Sequence, residues 1–314
     1  MNKELLFKSI FNRLVLIFFI IFISFFIHSN IYADNTIPLA VIIGNSPDEV
    51  VHQTGLRKAD IIYEISVEYP FTRLMAIFVN NGSTIVGPIR SSRYYFSRLA
   101  AEWFPIFAHC GGQSLKDERI INLDQMHYSS PYWRDKKIGG WINLFSDTKN
   151  LREKSRKLGF PNKINLKDSL LNLRTLNVSG GKISKITVKY NQKYSIYYEY
   201  EPNSNTYLRY INSKPHQDSK TLEHLAASNI IIQYVPIEKI PGDKEGRLEV
   251  NIIGEGIAKI FYGGHYFITK WVKKSINQPT LYYDGQGNIL NLNQGEIWIQ
   301  IVSNETKVWF KQGR

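Results

Sequence analysis

From Asp60 to Tyr69 the chain alternates strictly. Ile61, Tyr63, Ile65 and Val67 fall on one face, and Ile62, Glu64, Ser66 and Glu68 on the other, which is the period of a β-strand. Arg73 to Val79 follows across the Pro70 turn as a second strand. Pro38 to Ile43 is a short apolar run ended by Gly44-Asn45-Ser46-Pro47, the pattern of a buried strand closed by a turn. The period then switches. Phe96, Leu99, Ala100 and Trp103 recur at helical spacing within 93–103. Ile106 to His109 reads as another buried strand, and Ser114 to Asp117, directly after Gly111-Gly112, as a capped helix start. A helix over 147–158 is capped by Asp147 and stopped by Gly159, with Pro161 beyond.

After Val178-Ser179-Gly180-Gly181 the texture becomes a meander of strands with glycine-rich turns. The segments 185–190, 195–200 and 206–211 alternate, with Asn203-Ser204-Asn205 as a hairpin turn. Further strands are expected at 229–235, 247–253, 256–262, 266–272, 280–283 and 296–302. The expected class is α+β, an N-terminal mixed α/β sheet domain followed by a mostly antiparallel β domain. The expected domains are 34–177 and 182–314, with the boundary at 175–182.

Composition adds compartment and charge. The 314 residues are 43% hydrophobic and 21% charged, enough apolar material for a sizeable core. The lone cysteine, Cys110, excludes a disulfide framework within the chain and any multi-cysteine zinc site. Lys3, Lys8 and Arg13 precede an uncharged stretch from Leu14 to Ile27, the length of a signal-peptide core and short of the roughly 20 residues that span a bilayer. Residues 1–33 are therefore expected to be a signal peptide cut after Ala33, or an uncut N-terminal anchor, and the protein to be exported. No cysteine follows the apolar run, so a lipidated cysteine is not expected.

The whole chain carries 39 basic and 27 acidic residues, or +12. Removing three basic and one acidic from the leader leaves 36 minus 26, or +10. With no dense basic run or RNA-binding motif, no nucleic-acid partner is expected, and a bias towards Lys, Ile and Asn accounts for the overall charge. The polyanions met outside the cytoplasm are lipid head groups, phosphate-bearing wall polymers and acidic glycans.

Candidate chemistry gathers in the first half. Arg73 opens a strand, Arg90 and Arg93 sit three apart in Gly87-Pro88-Ile89-Arg90-Ser91-Ser92-Arg93, and His109-Cys110 run into Gly111-Gly112-Gln113-Ser114. Guanidinium groups bind phosphate or carboxylate bidentately, and permissive glycine backbone lets N–H groups approach an anion. The expected ligand-binding set is Arg73, Arg90, Ser91, Arg93, Gly111, Gly112 and Ser114. Glu64, Glu68 and His109 are the candidates for acid, base or nucleophile-activating roles. Against this, Arg73 also fits a cross-hairpin pair with Glu64 or Glu68, and His109 a hydrogen-bonded core position. No metal-ligand spacing, P-loop, G-x-S-x-G or G-x-G-x-x-G element occurs, so no metal or cofactor is expected. Trp271, Trp298, Tyr282 and Tyr283 fit either sugar-stacking or core roles.

These motifs resemble the YerB-like family of bacterial envelope proteins, a domain of unknown function with a companion C-terminal domain. The resemblance rests on Gly55-Leu56, the 59–64 stretch, Val67-Glu68, Thr72-Arg73, the 87–93 arginine motif, and His109 with Gly111 to Ser114. In the second half it rests on Gly254-Glu255-Gly256, Trp271-Val272-Lys273 and 295–302. It implies an envelope location and a two-part architecture, and no reaction. Three departures stand out: no cysteine after the leader, Tyr69-Pro70-Phe71 in place of glycines before Thr72-Arg73, and Ile142 where the family tends to carry histidine. The expected function is binding of an anionic cell-wall or membrane-surface ligand, with an envelope protein as a further possible partner. The alternative is an enzyme acting on phosphate-linked wall precursors.

Overall fold

The structure, a computed structural model, describes residues 37–79, 81–116, 120–160, 181–290 and 295–313. The expected leader, and the domain boundary as far as residue 180, lie outside the described residues.

The first half contributes β1 (Leu39–Gly44), β2 (Ile61–Ser66), β3 (Thr72–Phe78), β4 (Ile106–His109), β5 (Ile121–Asp124), β6 (Trp133–Arg134) and β7 (Leu144–Phe145). Its helices are α1 (Pro47–Val50), α2 (Tyr94–Ala100) and α3 (Thr148–Lys157). The second half is β8 (Gly181–Lys189), β9 (Ser195–Glu201), β10 (Thr206–Ile211), β11 (Lys214–Pro215), β12 (Ala226–Ala227), β13 (Asn229–Tyr234), β14 (Ile237–Lys239) and β15 (Leu248–Val250), and then β16 (Gly254–Tyr262), β17 (His265–Lys273), β18 (Leu281–Tyr283), β19 (Ile297–Val302) and β20 (Lys307–Gln312). The α+β class is as expected. Strands β5, β6, β7, β11, β12, β14 and β20 are additions to the expected set.

The two halves share one sheet. Its path among the described residues is β11-β10-β9-β8-β17-β16-β13-β19-β2-β3-β1-β4-β5. Strand β19, late in the chain, inserts between β13 and β2 and runs parallel to both, with Ile297 opposite Ile61 and Gln300 opposite Glu64. All six residues of β19 are buried. Fully burying one such isoleucine is worth about 1.5–3 kcal/mol, so this seam is a core element and not a loose domain contact.

Burial on both sides of the sheet explains the sequence pattern. Val41, Ile43, Ile62, Ile230 and Trp298 belong to one apolar cluster, and Ile42, Ile61, Tyr63, Ile231 and Ile299 to the other. Neighbours along each strand alternate between the clusters, so strands such as β1 read as unbroken apolar runs. The face of β2 that carries Glu64 is therefore covered at that residue: Glu64 is 0% exposed beneath the second half.

The helix expected at Ser114 does not form at 114–116, which are irregular. The Ser114 hydroxyl that would cap it accepts from Asn122 Nδ2 at 2.8 Å, and Leu115 N donates to Ser97 Oγ on α2 at 2.8 Å. These bonds lay the segment alongside α2 and β5. The 147–158 helix is present, its cap made by Asp147 accepting from Asn150 N. Trp271, Trp298 and Tyr282 are core residues, each 1% exposed, which leaves no sugar-stacking surface on them.

Candidate functional site

Strands β1 and β4 run parallel, and the segment after Gly87-Pro88 wedges in at their C-terminal ends. Gly44 N donates to Pro88 O and Arg90 N to Ile42 O on the β1 side. Cys110 N donates to Arg90 O and Ser92 N to Gly111 O on the β4 side. The arginine motif is thus held on both edges as a short extended strand. Gly112 makes the fit possible: its φ is +84°, and a Cβ there would lie 2.3 Å from Ser92 O.

Arg73, at the start of β3, is brought beside this segment by its register opposite Gly44. Its Nη1 donates to Ser91 O at 2.9 Å. Arg93 donates from Nε to Glu68 Oε1 at 2.5 Å and from Nη1 to Ser92 O at 2.8 Å. Arg90 pairs with the buried Glu49 at 2.5 Å and also reaches Trp141 O at 3.4 Å. Arg73 makes no ion pair among the described residues. Burial, and next the charge of Arg93, pull its guanidinium down to about 10, with Glu68 opposing. Three guanidinium groups therefore share two carboxylates in a half-buried corner, and the uncompensated charge sits on Arg73.

Glu68 titrates lower than usual. Burial pushes it up, but the Arg93 hydrogen bond and charge outweigh that and hold it ionised. His109 is fully buried, with Nδ1 3.0 Å from Gly111 O and Nε2 2.6 Å from Asn122 Oδ1, so both ring nitrogens are engaged. Ser114 hangs from Asn122 on the β5 side. The structure therefore groups Arg73, Arg90, Ser91, Arg93, Gly111, Gly112 and Glu68; His109 and Ser114 share one network through Asn122, tied to the group at Gly111 O, and Glu64 lies in a separate one.

Glu64 instead anchors the join between the halves. Its carboxylate accepts from Arg209 Nη2 at 2.8 Å, Thr72 Oγ1 at 2.8 Å and Tyr194 OH at 2.7 Å. Arg209 continues to His216 Nδ1 at 3.0 Å, and His216 Nε2 to Gln53 Oε1 at 2.5 Å. Arg209 has no acceptor, so His216 Nδ1 must accept and Nε2 must carry the hydrogen. Sequence reasoning missed Arg209 and His216. The available signal was the carboxylate of Glu64 in an otherwise apolar strand, which demands a buried partner. Beyond α1 lies a cleft of about 460 Å³ that reaches Asn45, Tyr194 and His216 of this network, and none of the three arginines lines it.

The family model described as "Protein of unknown function (DUF3048) N-terminal domain" matches residues 29–161, and its C-terminal companion matches residues 186–299. The chain is 26% identical over 275 residues to "Putative lipoprotein YerB" of Bacillus subtilis (strain 168), covering 84% of this chain and 81% of that one. The crystal structure of YerB protein from Bacillus subtilis superposes with a TM-score of 0.76 at 24% identity, covering 87% of this chain and 94% of that one.

Proposed function

The chain belongs to the DUF3048 family, and we propose that it is an exported envelope protein that binds a phosphate-bearing ligand through Arg73, Arg90 and Arg93. One observation carries this reading: Arg73, half-buried and with no ion pair among the described residues, meets Arg93 at Ser91, where Arg73 Nη1 donates to the carbonyl and Arg93 Nη1 to the hydroxyl. A folded chain tolerates such unbalanced charge where an anion supplies the missing partner. The position, at the C-terminal ends of two parallel strands, is where open α/β sheets commonly present ligands. Export is supported by the uncharged Leu14–Ile27 run behind a basic start and by the lipoprotein name of the Bacillus relative.

An enzyme on phosphate-linked precursors would need a base beside the bound anion. Of the two carboxylates there, Glu49 is buried against Arg90, and the depressed proton affinity of Glu68 makes it a weak base. Binding is therefore the reading we adopt.

The test is thermal unfolding of the full chain in detergent against inorganic phosphate and pyrophosphate. Binding raises the midpoint with a concentration dependence set by linkage, about 2.7 kcal/mol at a hundredfold excess over Kd. Arg73→Ala abolishes the shift, whereas Glu68→Gln, which removes a competing charge, strengthens it several-fold. A midpoint indifferent to both anions, or a shift unchanged in Arg73→Ala, refutes the reading.

A further inference from the structure

The same end of the sheet carries an amphiphilic excursion, residues 125–143, between β5 and β7. Met126 and Trp141 are 68% and 77% exposed, and Trp133 is 38% exposed. Arg134, Lys136 and Lys137 are exposed between them, and the one carboxylate of the segment, Asp135, is turned onto its own backbone, accepting from Lys137 N at 2.9 Å. The excursion is built, not frayed. Asp135 N donates to Asn143 O at 2.8 Å, Arg134 Nη1 to Asn143 Oδ1 at 2.8 Å, and Ser146 Oγ to Pro131 O at 2.9 Å. A well-held loop that presents large apolar groups and cations together has a surface to meet.

We propose that this excursion docks on an anionic lipid bilayer, with Trp133, Trp141 and Met126 entering the headgroup region and Arg134, Lys136 and Lys137 meeting the phosphates. Tryptophan favours the bilayer interface, and basic side chains near it gain from anionic lipid. A glycan or wall polymer would use the aromatic rings, but it gives Met126 nothing to do, whereas a thioether side chain fits the acyl boundary. The β2–β3 turn adds Tyr69 and Phe71, 63% and 41% exposed, next to the Glu68–Arg93 pair. Trp141 reaches the anion site directly through its carbonyl, which accepts from Arg90. The inference rests on the reading of the arginines above and names the phosphodiester headgroup as what they meet.

The experiment is tryptophan fluorescence of the full chain on vesicles containing brominated phosphatidylglycerol or brominated phosphatidylcholine. Residues 1–36 contain no tryptophan, so insertion of that segment produces no signal of its own. Trp103, Trp271 and Trp298 are buried, which leaves Trp133, Trp141 and the distant Trp309 as reporters. Docking gives quenching at least about twofold stronger in the anionic lipid, lost in the Trp133→Phe/Trp141→Phe variant and weakened in Arg134→Ser/Lys136→Ser/Lys137→Ser. Equal quenching in the two lipids, or quenching unchanged in the double tryptophan variant, overturns the proposal. The phosphate-induced midpoint shift separates the two readings. If it persists while quenching is absent, docking fails and the anion site stands; if both are absent, the anion site fails too.

Discussion

The Glu64 carboxylate on β2 and the Arg209 guanidinium on β10, 145 positions apart, meet at 2.8 Å with both side chains fully buried. Tyr194, Thr72 and Asn45 complete the carboxylate's hydrogen bonds, and Tyr198 and His216 those of the guanidinium. Arg209 also lies over the Trp298 ring at 4.4 Å. Each ion has lost its water, and its hydration is replaced by groups from both halves of the chain.

Removing one partner is therefore far costlier than removing both. Arg209→Met is expected to destabilise by about 3–5 kcal/mol, because it strands Glu64 as an uncompensated buried charge. Adding Glu64→Leu should recover much of that loss, giving a coupling energy of the order of a few kcal/mol. Urea unfolding of the two singles and the double measures it. Additive losses would mean the pair is not coupled.

His216 makes the same join acid-sensitive. Burial first, and then the charge of Arg209, hold its imidazole well below the usual 6.5, and it is neutral in the fold. The unfolded chain binds that proton near 6.5 and the folded chain does not, so stability is full above 6.5 and is lost as pH falls below it, by up to about 1.4 kcal/mol per pH unit. The unfolding midpoint of the wild type should decline from pH 6.5 towards 5 more steeply than that of His216→Gln. Parallel slopes would show that the histidine does not titrate differently on folding.

Gly112→Ala separates site geometry from global stability. The new methyl must push Ser92 O away while a non-glycine residue holds φ near +84°, at a cost of about 1–2 kcal/mol. Because Ser92 lies between Ser91, which Arg73 grips, and Arg93, phosphate binding should weaken by more than the stability loss explains. Titration of phosphate against the variant under conditions where it is fully folded gives the answer. An unchanged affinity would mean the loop does not set the arginines.

Much of this molecule is legible residue by residue. The alternation in 61–67 marks a strand, Asp147 caps its helix, and Asn203 to Asn205 turn a hairpin, because each depends on neighbours within a few positions. The arginine motif at 87–93 and its partner Arg73 were likewise visible as types of residue with a shared chemistry. Period two states which residues share a face of a strand; it does not state what covers that face. Only the tertiary structure decided that β19 returns to pair with β2, so that the face carrying Glu64 is roofed at that residue by Arg209 and Tyr194 and is closed to solvent there. It also decided that Ser114 bonds to Asn122 and Leu115 to Ser97, which holds 114–116 out of the helix that local capping signals favoured. In both places contacts between residues distant in the chain outweighed local preference, since a buried polar group must find its partner wherever the fold brings one.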